Sequence, residues 1–192
     1  MGCARMKTEQ LFAALEQRLS EGTVILAVEG GSAAGKTTLG NLLCERYGGS
    51  LFHMDDFFLR PEQRTPERFA EPGGNVDRER FLTEVLQPLS KGETVVYRPL
   101  SCSTFTLGEP VTVPFARLTV VEGAYSMHPM LCSYYDFSVF LEVSGQVQRE
   151  RILKRNSSEQ AEMFFNRWIP LEQQYFDALS IKEQCDMVIT VS

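Results

Sequence analysis

The residues best equipped for chemistry in this 192-residue chain form one run, Gly30-Gly31-Ser32-Ala33-Ala34-Gly35-Lys36-Thr37-Thr38. The run fits G-x-x-x-x-G-K-[ST]. Gly30 and Gly35 let the backbone turn tightly and approach phosphate oxygens. The N–H groups of 31–37 and the start of a following helix attract negative charge. Lys36 can reach β- and γ-phosphates, and the Thr37 hydroxyl is placed to ligate Mg²⁺. The run alone does not separate a switch, a motor and a phosphotransferase. Phosphoryl transfer also needs a positioned acceptor, an Mg²⁺ clamp and positive charge around the γ-phosphate. Asp55 follows the short apolar run 50–54. It can accept the proton of an incoming hydroxyl and face the metal, or it can cap a turn. Asp56 is adjacent and points differently. Glu122 closes the run 117–121. There it can hold Mg²⁺ directly or through water, or serve as a structural acid at a strand end.

The elements that must position these groups alternate in type. The run 23–29 is apolar and β-branched and predicts a strand, while 37–46, with Leu39, Leu42 and Leu43 on one face, predicts a helix. Strand, glycine loop and helix are the setting the motif requires. Upstream, 8–19 carries Leu11, Phe12, Leu15 and Leu19 at helical spacing and stops at Glu21-Gly22. The polar stretch 59–75 holds Pro61, Pro66, Pro72 and Gly73-Gly74 and reads as a long loop that binds something or is mobile. A helix is expected over 77–89, two strands at 94–97 and 111–113 flanking the excursion 98–110, and a buried strand over 117–121. A strand over 137–143, helices over 146–155 and 160–179, and a last strand over 187–191 complete the chain. This alternation predicts an α/β fold, a parallel sheet with helices on both faces. Ligands in such sheets sit beyond the C-terminal strand ends. Asp55, Asp56, Glu122 and the glycine loop all fall on that edge.

Composition bounds the rest. A chain of this length removes about 70% of its unfolded surface on folding, enough for one good core, so one domain over 1–192 is expected. The formal charge of −6 and pI near 5.1 disfavour duplex nucleic acid or an anionic membrane as the main partner. Cys3, Cys44, Cys102, Cys132 and Cys185 are scattered without a CxxC pair, which suggests free thiols in a reducing, cytoplasmic setting. No apolar run approaches the about 18 residues a membrane span needs. The N-terminus lacks a secretory apolar region, and Met6 stands where a myristoylation signal needs Ser or Thr.

Taken together, Gly30 to Thr38, His53-Met54-Asp55-Asp56-Phe57-Phe58, Asn75-Val76-Asp77 and Val120-Val121-Glu122-Gly123 resemble the uridine kinase and nicotinamide riboside kinase group of P-loop kinases. That group also includes phosphoribulokinase and bacterial pantothenate kinase. Trp168-Ile169-Pro170 and Cys185-Asp186-Met187-Val188-Ile189 fit as well, so the resemblance spans most of 23–191. It implies the P-loop NTPase fold with a small helical lid over approximately 149–166. Asp55 then activates the substrate hydroxyl, Glu122 stands near Mg²⁺, and Asp77 matches an acid that hydrogen-bonds a ribose. Asp77 can equally be an N-terminal helix acid. Arg155, with Arg151 second, would meet the triphosphate from the lid. Tyr97 aligns where the uridine kinases read a base. It can stack on a substrate ring or pack at the edge of the core. Two features depart from the uridine kinases: Asn156-Ser157-Ser158-Glu159 replaces their arginine-dense lid, and no histidine follows Tyr97 in the hairpin. His53 and His128 read as structural, Trp168 and Phe164-Phe165 as core or lid-hinge packing, and Phe57-Phe58 as pocket support or core.

The resulting expectation is an ATP- and Mg²⁺-dependent kinase for a small-molecule hydroxyl, first of all the 5′-OH of a nucleoside. Lys36 and the loop amides hold the phosphates, and Thr37, Asp55 and Glu122 arrange the metal. A pantothenate- or sugar-type acceptor is the alternative, and a nucleotide-binding regulatory module is a third. Against the module, neither Asn-Lys-x-Asp nor an Asp-x-x-Gly switch after Val121 is present.

Overall fold

Alternate residues of the central strand face opposite ways, and each set founds a core. The computed structural model describes residues 2–192, with side chains from Lys7 onward. Cys3 and the Met6 side chain weighed against myristoylation lie outside the described side chains. The elements are helix α1 (Gly2–Glu21), strand β1 (Val24–Gly30), helix α2 (Lys36–Tyr47) and strand β2 (Ser50–His53). Next come the short helix α3 (Pro66–Ala70), helix α4 (78–90) and strands β3 (Val95–Tyr97), β4 (Val111–Val113), β5 (Leu118–Glu122) and β6 (Phe137–Val143). Helices α5 (Gly145–Arg155), α6 (158–178) and α7 (Ile181–Gln184) and strand β7 (Met187–Val191) end the chain.

Five strands form a parallel sheet in the order β2-β5-β1-β6-β7. Val24, Leu26 and Val28 of β1 face one side, where Leu118, Val120 and Val139 join Leu11 and Leu15 of α1 and Leu43 of α2. Ile25 and Ala27 face the other, where Phe52 and Val121 meet Phe81, Val85 and Leu86 of α4, Tyr175 of α6 and Ile181 of α7. Each such buried aliphatic or aromatic side chain contributes about 1.5–3 kcal/mol of transfer free energy. Helices thus cover both faces, as the alternation predicts. No helix among the described residues is long and apolar enough to cross a membrane.

Three local outcomes differ from expectation. Strands β3 and β4 flank the 98–110 excursion as predicted, but they form their own antiparallel ribbon outside the main sheet. The 59–75 stretch is built rather than loose: the Thr65 hydroxyl caps α3 by accepting from the Arg68 N–H. The Arg68 guanidinium donates to the carbonyls of Gly74 and Val76 and to Glu79. Helices α4 and α6 each contain a π-type turn, Leu82–Leu86 and Phe164–Trp168. Each turn closes with an i→i−5 bond, Gln87 N–H to Leu82 and Ile169 N–H to Phe164. Each ends two residues before a proline, Pro88 and Pro170. A proline brings no N–H to the carbonyl four residues back, so the preceding turn is free to widen.

One charged group is enclosed in the second core. Glu29, at the end of β1, is fully buried. Its Oε1 accepts from the Gly30 N–H at 2.8 Å, and its Oε2 accepts from the Met127 N–H and the Tyr175 hydroxyl, both at 3.0 Å. Burial pushes its carboxyl up to about 7, against the pull of these donors and of Lys36. A carboxyl whose folded value lies above its unfolded one favours the folded state in acid, and that contribution is lost as pH rises towards 7. Above pH 7 the ionised Glu29 depends most on its donors. Tyr175→Phe removes one, and we expect a stability loss of about 1–3 kcal/mol at pH 8 that shrinks at pH 6. Urea unfolding at both pH values measures it; equal losses would show that Glu29 does not ionise in this range.

Candidate active site

The glycine loop joins β1 to α2 as the motif requires. Gly30 sits at φ +142°, and a Cβ there would lie 2.5 Å from the Leu141 carbonyl oxygen of β6, so only glycine fits beside the neighbouring strand. Gly35 immediately precedes α2 and, being glycine, supplies no capping side chain. The first amides of α2 therefore remain available to an anion. Lys36 folds back and donates from Nζ to the Gly31 carbonyl at 2.9 Å.

Around the loop the strand register gathers acids. β5 pairs with both β1 and β2, placing Glu122 opposite Val28 and His53. Glu122 Oε1 accepts from the Thr37 hydroxyl at 2.9 Å and lies 2.6 Å from His53 Nδ1. Burial pushes the Glu122 carboxyl up, but His53, the Lys36 charge and Thr37 more than offset it, and it stays below the usual range. The His53 imidazole is raised, chiefly by its bond to Glu122. His53, expected to be structural, thus orients the acid of the site. Gly123 follows at φ +144°, and a Cβ there would meet that of Met54 at 2.6 Å. This close approach brings the 3₁₀ turn Met54–Phe57, which carries Asp55 and Asp56, against the end of β5. Asp55 opens to the cleft. Enclosure by the cleft walls raises its carboxyl and Glu122 reinforces this, while Lys36 opposes it.

A cavity of about 610 Å³ runs along this edge, lined by Ser32 to Thr38, Asp55, Glu122, Arg151 and Arg155. Most of the residues singled out in sequence meet here; Gly30 and Gly31 support the loop from behind. Arg155 stacks against Phe164, and Arg151 donates to the carbonyls of Ala33 and Ser192 at 3.1 Å. Among the described residues, no three His, Cys, Asp or Glu side chains cluster closely enough to cage an ion. The donors at the loop are oxygens, the Thr37 hydroxyl and the Glu122 and Asp55 carboxyls. Mg²⁺ suits such a set, since it keeps waters and takes one or two carboxylates together with phosphate oxygens. The residues present therefore fit Mg²⁺ bound with a nucleotide.

A second cavity of about 300 Å³ adjoins the first, sharing Ser32, Asp55, Ala124, Phe164 and Glu172 with it. Its remaining wall is Phe58, Arg64, Asn75, Cys102, Phe105, Tyr125 and Trp168. The two residues expected to touch an acceptor are not in either lining. Asp77 is buried and caps α4, accepting from the Arg80 N–H at 3.1 Å and from Gln63 Nε2 at 2.8 Å. Tyr97 is buried against Phe57, with ring centroids 5.2 Å apart, and its hydroxyl donates to Asp56 at 2.9 Å. Of the readings open to them, helix acid and core tyrosine are the ones these contacts match. Asp56 holds Tyr97 and faces away from the loop.

Sequence reasoning passed over Glu172. It lies on α6, almost buried, and its carboxylate accepts from both the N–H and the hydroxyl of Ser32 in the glycine loop, the former at 2.9 Å. Burial raises its carboxyl and the Ser32 bonds oppose the shift. Gln148 of α5 donates to the Ser32 carbonyl at 2.9 Å from the other side. The usable signal was an acid on the helix face that also carries Tyr175 and Phe176.

No protein-family model matches the chain, and no curated protein matches it. Solved structures do. A possible uridine kinase from Bacillus stearothermophilus superposes with a TM-score of 0.67 at 21% identity, over 92% of this chain and 99% of that one. A candidate fructose transport system kinase from Silicibacter sp. gives 0.68 at 21%, over 92% and 97%. A candidate P-loop kinase with a circular permutation from Saccharomyces cerevisiae gives 0.61 at 12%, over 98% of each chain. These likenesses show the fold: the chain folds as these structures do, along 92% or more of its length.

The Glu172 carboxylate sits where a triphosphate would add further negative charge. Glu172→Gln keeps an acceptor for the Ser32 N–H and can donate to its hydroxyl, while removing the charge. We expect it to tighten ATP binding by roughly 1 kcal/mol, about fivefold, in a fluorescence titration. Weaker binding would mean that the charge itself holds the loop in its receptive shape.

Proposed function

We propose that the protein is an ATP- and Mg²⁺-dependent kinase that phosphorylates a hydroxyl of a small molecule, in a cytoplasmic setting. One observation carries the reading: Asp55 lines both the cavity of the glycine loop and the adjoining smaller one. A carboxylate on that boundary can meet a nucleotide's terminal phosphate from one side and an acceptor hydroxyl from the other. The loop amides and Lys36 hold the β- and γ-phosphates, Lys36 leaving the Gly31 carbonyl to do so. Thr37, Glu122 and Asp55 are the residues that would hold Mg²⁺, which when bound supplies charge neutralisation at the phosphates. Asp55 orients the hydroxyl and takes its proton as oxygen attacks phosphorus; its raised carboxyl suits a group that must accept a proton. Arg155, aided by Arg151, faces the phosphates from the segment 149–166, which closes as a lid and keeps water from the terminal phosphate.

A nucleoside 5′-OH is the first reading of the acceptor. The engagement of Asp77 by α4 and of Tyr97 by Phe57 favours a second, a non-nucleoside alcohol, because neither residue is free to read ribose or base. A coupled assay of ADP release over a panel of alcohols separates the two readings.

Asp55→Asn is expected to retain MgATP binding and lose transfer by at least about 10²-fold. Lys36→Ala should instead weaken MgATP binding itself. Near-normal turnover in the Asp55 variant would remove Asp55 from the chemistry.

A further inference from the structure

The smaller cavity has a chemical polarity of its own. At the boundary with the glycine loop stand Asp55, Ser32 and Glu172. Arg64 lines only the smaller cavity. It belongs to a stretch crowded with arginines, and its neighbours are paired: Arg60 with Glu62 and Asp77, Arg68 with Glu71 and Glu79, Arg78 with Glu71 and Glu79, and Arg80 with Asp77 and Glu84. Among the described residues no carboxylate pairs with Arg64. Its guanidinium is nevertheless fixed. Nε donates to the Leu59 carbonyl at 2.9 Å, and the group lies 4.0 Å over the centre of the Phe105 ring. Both terminal nitrogens are left uncommitted, on a half-buried side chain held in place at its other edge and face.

Asn75 is 5% exposed, lines the same cavity, and sets its side chain beside the Tyr125 hydroxyl. Asn75 and Tyr125 thus give this wall a polar amide–hydroxyl pair. Phe58 stacked on Trp168 gives this wall an apolar stretch. Thus the cavity offers carboxyls at the transfer end, an apolar wall, and a cation without a carboxylate partner among the remaining residues.

Resting on the kinase reading above, we infer that the acceptor is an anionic alcohol, bearing a carboxylate or a phosphate monoester, whose charge Arg64 takes while its hydroxyl reaches Asp55. The alcohol oxygen forms the new bond to the γ-phosphorus, and the bond from that phosphorus to the β–γ bridging oxygen breaks. ADP leaves with the electron pair, and the hydroxyl proton passes to Asp55. An arginine held in a fixed plane suits both anions, since its two terminal nitrogens match two oxygens of either. A carboxylate and a phosphate monoester share that chemistry and are separated by experiment.

The test uses charged and neutral twins as acceptors with MgATP: glycerate against glycerol, fructose 1-phosphate against fructose, and uridine as a neutral nucleoside. We expect turnover of at least one charged member at a kcat/KM at least about 10-fold above its neutral twin and above uridine. Which pair responds tells carboxylate from phosphate. Arg64→Gln should raise KM for that acceptor by about 10-fold or more while the KM for ATP stays within about twofold, and Arg64→Lys should recover part of the loss. MgATP affinity and the unfolding midpoint confirm that each variant is folded. Preference for uridine or the neutral twins, turnover of a charged member that is indifferent to Arg64→Gln, or failure of every charged member by a protein that binds MgATP would overturn the inference. A protein that does not bind MgATP at all would instead overturn the kinase reading.

Discussion

The register of three parallel strands is the constraint on which the site depends. Val28 of β1, Glu122 of β5 and His53 of β2 lie at one level of the sheet. A strand that slipped by one residue would turn every side chain to the opposite face. Glu122 would then leave Thr37 and His53, and the 3₁₀ turn carrying Asp55 would start from the wrong height. The two cores hold the register from both sides, because Leu26 and Val28 fit only against α1 and α2, and Ile25 and Ala27 only against α4 and α6. The hydrophobic effect, which has no knowledge of chemistry, thereby fixes the height at which the acids end.

Those acids make an electrostatically expensive neighbourhood. Glu29, Asp55, Glu122 and Glu172 all bear on the single ammonium of Lys36. They are not equivalent. Glu122 is held low by His53, Lys36 and Thr37, whereas burial pushes Glu29, Asp55 and Glu172 up. The carboxyl held low is the one that accepts from the Thr37 hydroxyl. Asp55, which lines both cavities, is by contrast raised. Neighbouring carboxyls with opposite shifts are what one cleft edge yields when environment rather than residue type sets each carboxyl's proton affinity.

What was legible in the sequence was what local chemistry decides. The glycine loop is contiguous, and the strands that deliver Asp55 and Glu122 announce themselves by apolar runs ending in acids. The parallel sheet and most helix limits followed from periodicity. The acceptor side was not legible, for a physical reason. Asp77 and Tyr97 look free when only their neighbours in the chain are known. Their occupation by Gln63, Arg80, Asp56 and Phe57 depends on how 54–63 and 78–97 pack against each other. Glu172 meets Ser32 across 140 positions of chain. The π-type turns were in principle visible, since Pro88 and Pro170 each follow one by two residues, but proline inside a helical pattern more often suggests a break.

The division between readable and unreadable follows the division of labour in the fold. Phosphate handling uses backbone amides and strand ends, which any sequence with the right turns must present in one way. The smaller cavity draws on the built segment 59–75, the excursion 98–110 and helix α6, three pieces that touch only in the folded chain. Arg64 from the first and Phe105 from the second stack on each other, and Phe58 meets Trp168 of the third. Their positions are held by bonds peripheral to the sheet, such as Leu100 N–H to the Asp56 carbonyl and Arg64 to that of Leu59. Residues can therefore change there without disturbing the register that sets the catalytic edge. A fold arranged in this way can vary the charge pattern of its smaller cavity while the glycine loop and its acids keep their register. The unpaired guanidinium of Arg64 is the pattern this chain carries.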